Sequence, residues 1–107
     1  MKKINLQELA PAEAWAPKGV GFIGDAAMRL VRIEGKFDWH VHAEEEFYLA
    51  VSGAVHIDTE TETMELREWE GCKVPPGTRH RTRSPGGAVV LMIEPVCCRP
   101  CEEDTRG

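Results

Sequence analysis

From Val20 onward the chain alternates short apolar runs with turn-forming clusters, a rhythm of strands rather than helices. Residues 27–34 read as a strand, and the chain continues extended over residues 37–42 after Gly35. Residues 47–51 are β-formers closed by Ser52-Gly53, and a strand over 55–58 follows so closely that Gly53 is expected in a hairpin turn. Residues 63–67 and 72–74 are further strands, the second running into Pro75-Pro76-Gly77. The last two strands, 80–83 and 88–94, are expected to be joined by a turn at Ser84-Pro85-Gly86-Gly87. Short strands at this spacing predict an all-β sandwich or barrel, placed over residues 20–96. Residues 1–19 mix Pro11, Pro17 and Gly19 with short apolar pieces and read as an N-terminal arm, with a brief helix around 6–15 that Pro11 limits. Residues 97–107 read as a flexible, Cys-rich tail.

Composition narrows the function more than the fold. A chain of 107 residues is one domain at most. The formal charge of −5 argues against a phosphate-tracking nucleic-acid surface. No apolar run approaches a membrane span, and the charged start Met1-Lys2-Lys3 is not followed by an apolar h-region, so a cytoplasmic protein without a signal peptide is expected. The four cysteines, at 72, 97, 98 and 101, are too unevenly placed for a disulfide framework and are expected as reduced thiols.

The chemistry lies in the histidines. In an extended segment residues i and i+2 point to one face, so His40 and His42 present two imidazoles side by side, with Trp39 and Val41 turned the other way into packing. Glu46 follows at the start of the next strand, sharing a face with Tyr48 and Ala50. Two imidazoles and a carboxylate suit a borderline divalent metal, Fe, Mn, Ni, Co, Zn or Cu, and leave positions open for water or substrate. A His-x-His pair on a polar strand edge can equally be solvated, and Glu44, Glu45 and Glu46 can be a solvated acidic turn. His80 stands just after Pro75-Pro76-Gly77, a turn that fixes the direction in which its side chain is aimed.

At this point the sequence resembles the cupin superfamily. The first cupin motif is matched by Gly35, four residues, His40-Val41-His42, three residues, Glu46, six residues and Gly53. The second is matched by Gly71, three residues, Pro75-Pro76-Gly77, two residues and His80. The gaps before His40 and before Pro75 are shorter than the family pattern, and Ser84 stands where Asn is usual. The resemblance implies a conical single-domain jelly-roll barrel with a divalent transition metal held by His40, His42, Glu46 and His80. The start Lys3-Ile4-Asn5 and the ending Leu91-Met92-Ile93-Glu94-Pro95 also look like small, largely uncharacterised cupins labelled mannose-6-phosphate-isomerase-like.

Other side chains carry paired readings. Tyr48 is a candidate proton donor, or a barrel-lining aromatic with a satisfied hydroxyl. Asp38 could orient an imidazole N–H, or stand in solvent. Arg79, Arg81 and Arg83 should project away from the site onto a solvated or interface face, and Arg29 and Arg32 are read alike, although one could reach an anionic ligand. His56 faces away from its apolar neighbours and is excluded as a ligand. Cys72 is expected as a small packed residue. The Cys98-x-x-Cys101 spacing lacks a second ligand pair and is read as ordinary thiols.

The resemblance implies no single reaction, because the same ligand set serves oxygenases, isomerases, lyases and pure binding modules. The leading expectation is a metal-dependent enzyme on a small polar metabolite. The alternatives are a non-catalytic ligand- or metal-binding module and a structural cupin with an empty site. Exposed sheet edges, an apolar outer face and the arm lead to an expected homodimer, with a small molecule as the other partner and no nucleic acid or membrane.

Overall fold

A computed structural model describes residues 1–96 of the chain. Seven strands follow one another: β1 (Lys18–Ile23), β2 (Ala26–Lys36), β3 (Glu46–Gly53), β4 (Val55–Thr59), β5 (Thr63–Leu66), β6 (Gly71–Val74) and β7 (His80–Pro95). Every strand pair is antiparallel, in the order β1-β2-β7-β3-β6, with β4 paired to both β5 and β7. This is an all-β barrel, as the strand rhythm predicts, of the jelly-roll kind that the resemblance implies. No helix among the described residues is long and apolar enough to cross a membrane.

The two expected hairpin turns are a different device. β7 is one strand of 16 residues that runs straight through Ser84-Pro85-Gly86-Gly87. Its partner β2 pairs Gly35 with Ser84 and Ile33 with Ala88, so two steps on β2 meet four on β7 and the surplus bulges out. On the other side of β7, β3 ends with Gly53 opposite Ala88 and β4 resumes with His56 opposite Arg83. β3 and β4 therefore lie end to end along β7 instead of folding back on each other. The kink at Gly53 faces the kink at Gly87, and Ser84 Oγ donates to Ala54 O across the corner at 2.6 Å. Gly53 has φ 75°, and a Cβ there would stand 2.3 Å from Gly87 O. Only glycine supplies both the left-handed backbone and the missing side chain.

Alternation along these strands builds two apolar layers. Val31, Ile33, Tyr48, Ala50, Ile57 and Met92 belong to the barrel interior. Leu30, Val51, Val89 and Leu91 face the other side, where Leu6, Leu9 and Ala10 of the arm pack on them. Full burial of an aliphatic side chain contributes about 1.5–3 kcal/mol, and the half-buried Leu6 and Leu9 contribute a part of that in tying the arm to the sheet it covers.

Three local expectations are corrected. The brief helix of the arm is a single turn: Leu9 N donates to Asn5 O, Asn5 Oδ1 accepts from Glu8 N, and Pro11 ends it. Residues 18–23, partly assigned to the arm, form β1. The extended segment 37–42 joins no strand ladder. Lys36 pairs with Arg83 and His40 with His80, so four steps meet three and continuous pairing is lost.

Candidate metal centre

His80 opens β7, and His40 is paired to it by two backbone hydrogen bonds of 2.9 Å, each residue's N–H to the other's carbonyl. Such a pair projects both side chains to one face of the ladder. Gly77 N donates to His42 O at 2.9 Å, so the Pro75-Pro76-Gly77 turn also fixes the second histidine. Gly77 takes φ 74°, the left-handed conformation this turn requires. Glu46 enters from β3, opposite Val74. The His40 and His42 rings stack at 4.9 Å and 11°, as the i, i+2 argument expects, and His80 closes on both at 4.4 and 5.2 Å.

His42, Glu46 and His80 are buried and His40 half-buried, and the four ligand atoms they offer lie within 4.8 Å of one another. Glu46 Oε1 stands 3.5 Å from both His42 Nε2 and His80 Nε2. Adjacent ligands held at about 2.1 Å from one ion are roughly 3.0–3.5 Å apart, so this spacing fits a cation. The ring orientations fit as well. His40 Nδ1 hydrogen-bonds Asp38 O at 2.9 Å and His80 Nδ1 hydrogen-bonds Thr78 O at 2.8 Å. A carbonyl only accepts, so Nδ1 carries the proton on each ring and Nε2 keeps its lone pair for a metal. Asp38 thus orients an imidazole through its main chain, not its carboxylate.

Tyr48 is 2% exposed, and its hydroxyl donates to Glu46 Oε1 at 2.6 Å while lying 3.2 Å from His80 Nε2. Its hydroxyl is satisfied at the edge of the ligand cluster. Two residues that the motif reading missed complete this wall. Glu94 Oε1 stands 4.0 Å from His42 Nδ1, and its other oxygen accepts from Arg29 at 2.5 Å. Both lie on the inward faces of their strands, and the signal was present: Val90, Met92 and Glu94 alternate, with a carboxylate ending an apolar series. Arg29 therefore meets a carboxylate of this chain. Arg32 donates through Nε to Pro11 O.

A cavity of about 40 Å³ leads to this cluster. Its walls are Trp15, Pro17, Ile33, Phe37 and Met92, and its polar surface comes from His40, Tyr48 and Thr82. Trp15 stacks on Phe37 at 5.2 Å and 24°. No local pattern in residues 1–19 announces this, because the arm acquires its role only through contacts with β2.

The remaining arginines differ from expectation. Arg81 and Arg83 do leave the site, but they converge on Asp58, with Nε–Oδ2 distances of 2.9 and 2.7 Å. Thr63 Oγ1 also donates to Asp58. The Arg83 hydrogen bond, with those from Thr63 and Arg81, outweighs burial and holds the Asp58 carboxyl well below the usual carboxylate range. Trp39 lies under the guanidinium groups of Arg79 and Arg81 at 5.0 and 4.8 Å, so the packing it turns into is a cation–π contact. His56 faces Glu65 at 3.8 Å, outside the cluster. Cys72 packs against the core, and burial, then Glu62, pushes its thiol pKa up. Cys98 and Cys101 lie outside the described residues.

The barrel and its three-histidine, one-glutamate cluster define a class, and comparison with known proteins places the chain in it. Residues 27–94 match the cupin domain, and this chain belongs to that family. It is 33% identical over 84 residues to the uncharacterized protein YdbB of Bacillus subtilis, covering 77% of this chain and 74% of that one. It is also 33% identical over 84 residues to polyketide synthase CurC of Streptomyces cyaneus, covering 75% of this chain and about half, 53%, of that protein. Among solved structures it superposes on a cupin-2 domain protein from Shewanella frigidimarina with TM-score 0.81 and 27% identity, covering 86% of this chain and 93% of that chain.

Proposed function

We propose that this chain is a divalent-metal-binding cupin whose metal acts on a small molecule reached through the Trp15–Phe37 cavity. One observation carries the reading: four ligand atoms converge within 4.8 Å, and two of the three imidazoles are locked with Nε2 turned inward. His40, His42, Glu46 and His80 would hold the ion. When bound, a divalent cation polarises an oxygen of the substrate or templates it beside a second reactant. The protein's part is to keep the ring nitrogens unprotonated toward the ion, exclude bulk water with an apolar wall, and hold a proton on the Tyr48 hydroxyl at the cluster's edge. The cavity walls favour a ligand with an apolar body and one polar end over the polar metabolite expected from the motifs.

Elemental analysis of freshly purified protein tests this. About one transition metal per chain is expected, with loss of the metal in His42→Ala; less than about a tenth per chain in the wild type would overturn the reading. A non-catalytic binding module is a second reading, favoured by the small size of the cavity. Metal-loaded protein that retains a ligand without turnover on oxygenase, isomerase and lyase panels would select it.

A further inference from the structure

The cavity beside the metal centre is too small for most molecules its walls would suit. A water needs roughly 10–15 Å³ by the same measure, and a cavity that accepts a benzene ring is about 150 Å³. The 40 Å³ here admits about three heavy atoms. The wall that limits it is Trp15, the one large side chain in the lining that comes from the arm and not from a strand or the segment stitched to β7. Phe37, by contrast, is fixed to the barrel through its N–H to Thr82 O at 2.9 Å.

Trp15 packs at the edge of the barrel core and is tied to β2 by two hydrogen bonds. Its N–H donates to Arg32 O at 2.8 Å, its indole Nε1 donates to Glu34 O at 3.0 Å, and its ring lies on Phe37. It adopts φ 64°, a left-handed conformation that costs a bulky L-residue energy and persists only while its surroundings enforce it. The two backbone acceptors belong to β2, which keeps its own ladder to β7 whether or not the indole is there.

We propose that Trp15 is the size-determining residue of the site, and that a planar aromatic ring bearing one oxygen is admitted when the ring replaces the Trp15 indole on the face of Phe37. The ring would then lie against Phe37, Ile33 and Met92, with its oxygen toward His40 and Tyr48. Molecules of about three heavy atoms enter without displacing Trp15. The inference rests on the metal-centre reading for the oxygen end, and on cavity geometry alone for the ring.

The test uses the full chain loaded with Zn²⁺, which is spectroscopically silent, with phenol and formate as probes. Trp39 and Trp69 are replaced by Phe so that emission reports Trp15 alone. Phenol is expected to change Trp15 emission, and by titration calorimetry Trp15→Ala is expected to bind phenol about tenfold more tightly, the gain when a competent state populated at about one part in ten becomes the resting state. Formate should bind both proteins equally. Trp15→Phe, which keeps a ring on Phe37 but loses the indole donor, should fall between them and guards against a folding defect in the alanine variant. Equal or weaker phenol binding by Trp15→Ala, unchanged Trp15 emission, or no phenol binding to either protein would overturn the proposal. Failure of the wild type to take up Zn²⁺ would instead sink the metal reading, and the phenol affinities of the two metal-free proteins would still decide the role of Trp15.

Discussion

Replacing Tyr48 with Phe removes one oxygen from a buried site. The hydroxyl donates to Glu46 Oε1 at 2.6 Å, with the two residues 2% and 1% exposed. The Glu46 carboxylate loses its side-chain donor. A hydrogen bond to a charged group contributes about 1.5–3 kcal/mol, and an abandoned buried partner sits at the upper end. A loss of about 2 kcal/mol lowers Tm by roughly 10 °C in a domain of this size. The consequence depends on metal. A cation bound at the cluster compensates the Glu46 carboxylate itself, so the Tyr48→Phe deficit should shrink to about half. Zn²⁺ at a hundred times its Kd stabilises the wild type by about 2.7 kcal/mol, and the variant should gain about 1 kcal/mol more. Circular-dichroism melts of both proteins, in chelator and in Zn²⁺, measure the difference directly. An equal Tm deficit in both conditions would show that hydroxyl and cation do not share Glu46 Oε1, and the assignment of Glu46 as a ligand would fall.

Two further outcomes follow from geometry away from the metal. Because Arg83, Thr63 and Arg81 lower the Asp58 pKa below 3.8, the stability this group contributes is full above that value and is lost as pH falls toward its folded pKa. Asp58→Asn should therefore flatten the stability profile between about pH 4 and pH 2 in urea titrations, and a profile as steep as the wild type's would refute the pairing. Gly53→Ala should cost about 3 kcal/mol or more, since its Cβ meets Gly87 O at 2.3 Å in a left-handed backbone, whereas Gly86→Ala, with nothing within 4 Å, should stay within about 0.5 kcal/mol. Similar melting temperatures for the two alanine variants would contradict the corner described here.

The strands and the four-residue cluster were legible because both depend on short-range regularities. Alternation marks the strands, and the His-x-His pair needs only a locally extended chain to bring two rings together. Ser84-Pro85-Gly86-Gly87 was misread because local chemistry for a turn and for a bulge is the same. Which one forms depends on whether residues 88–94 find their partner on their own chain neighbour or on β2, a contact more than fifty residues away in sequence. Arg81 and Arg83 were read as solvated for a similar reason: Asp58 joins them only once β4 lies along β7. Trp15 was invisible as a site residue because no periodicity within the arm points to a cavity built by β2, β3 and β7.

The long strand β7 also bears on how the chain is made. It pairs with β2, β3 and β4, and it carries His80. During synthesis, β2, β3 and β4 emerge before β7, the strand all three share, leaving unpaired edges and the apolar faces of β2 and β3 exposed in the nascent chain. Closure of the barrel and assembly of the ligand cluster must therefore be events that follow completion of residue 95, dominated by slow, non-local pairing. A metal arriving earlier would find His40, His42 and Glu46 but no defined pocket to hold it.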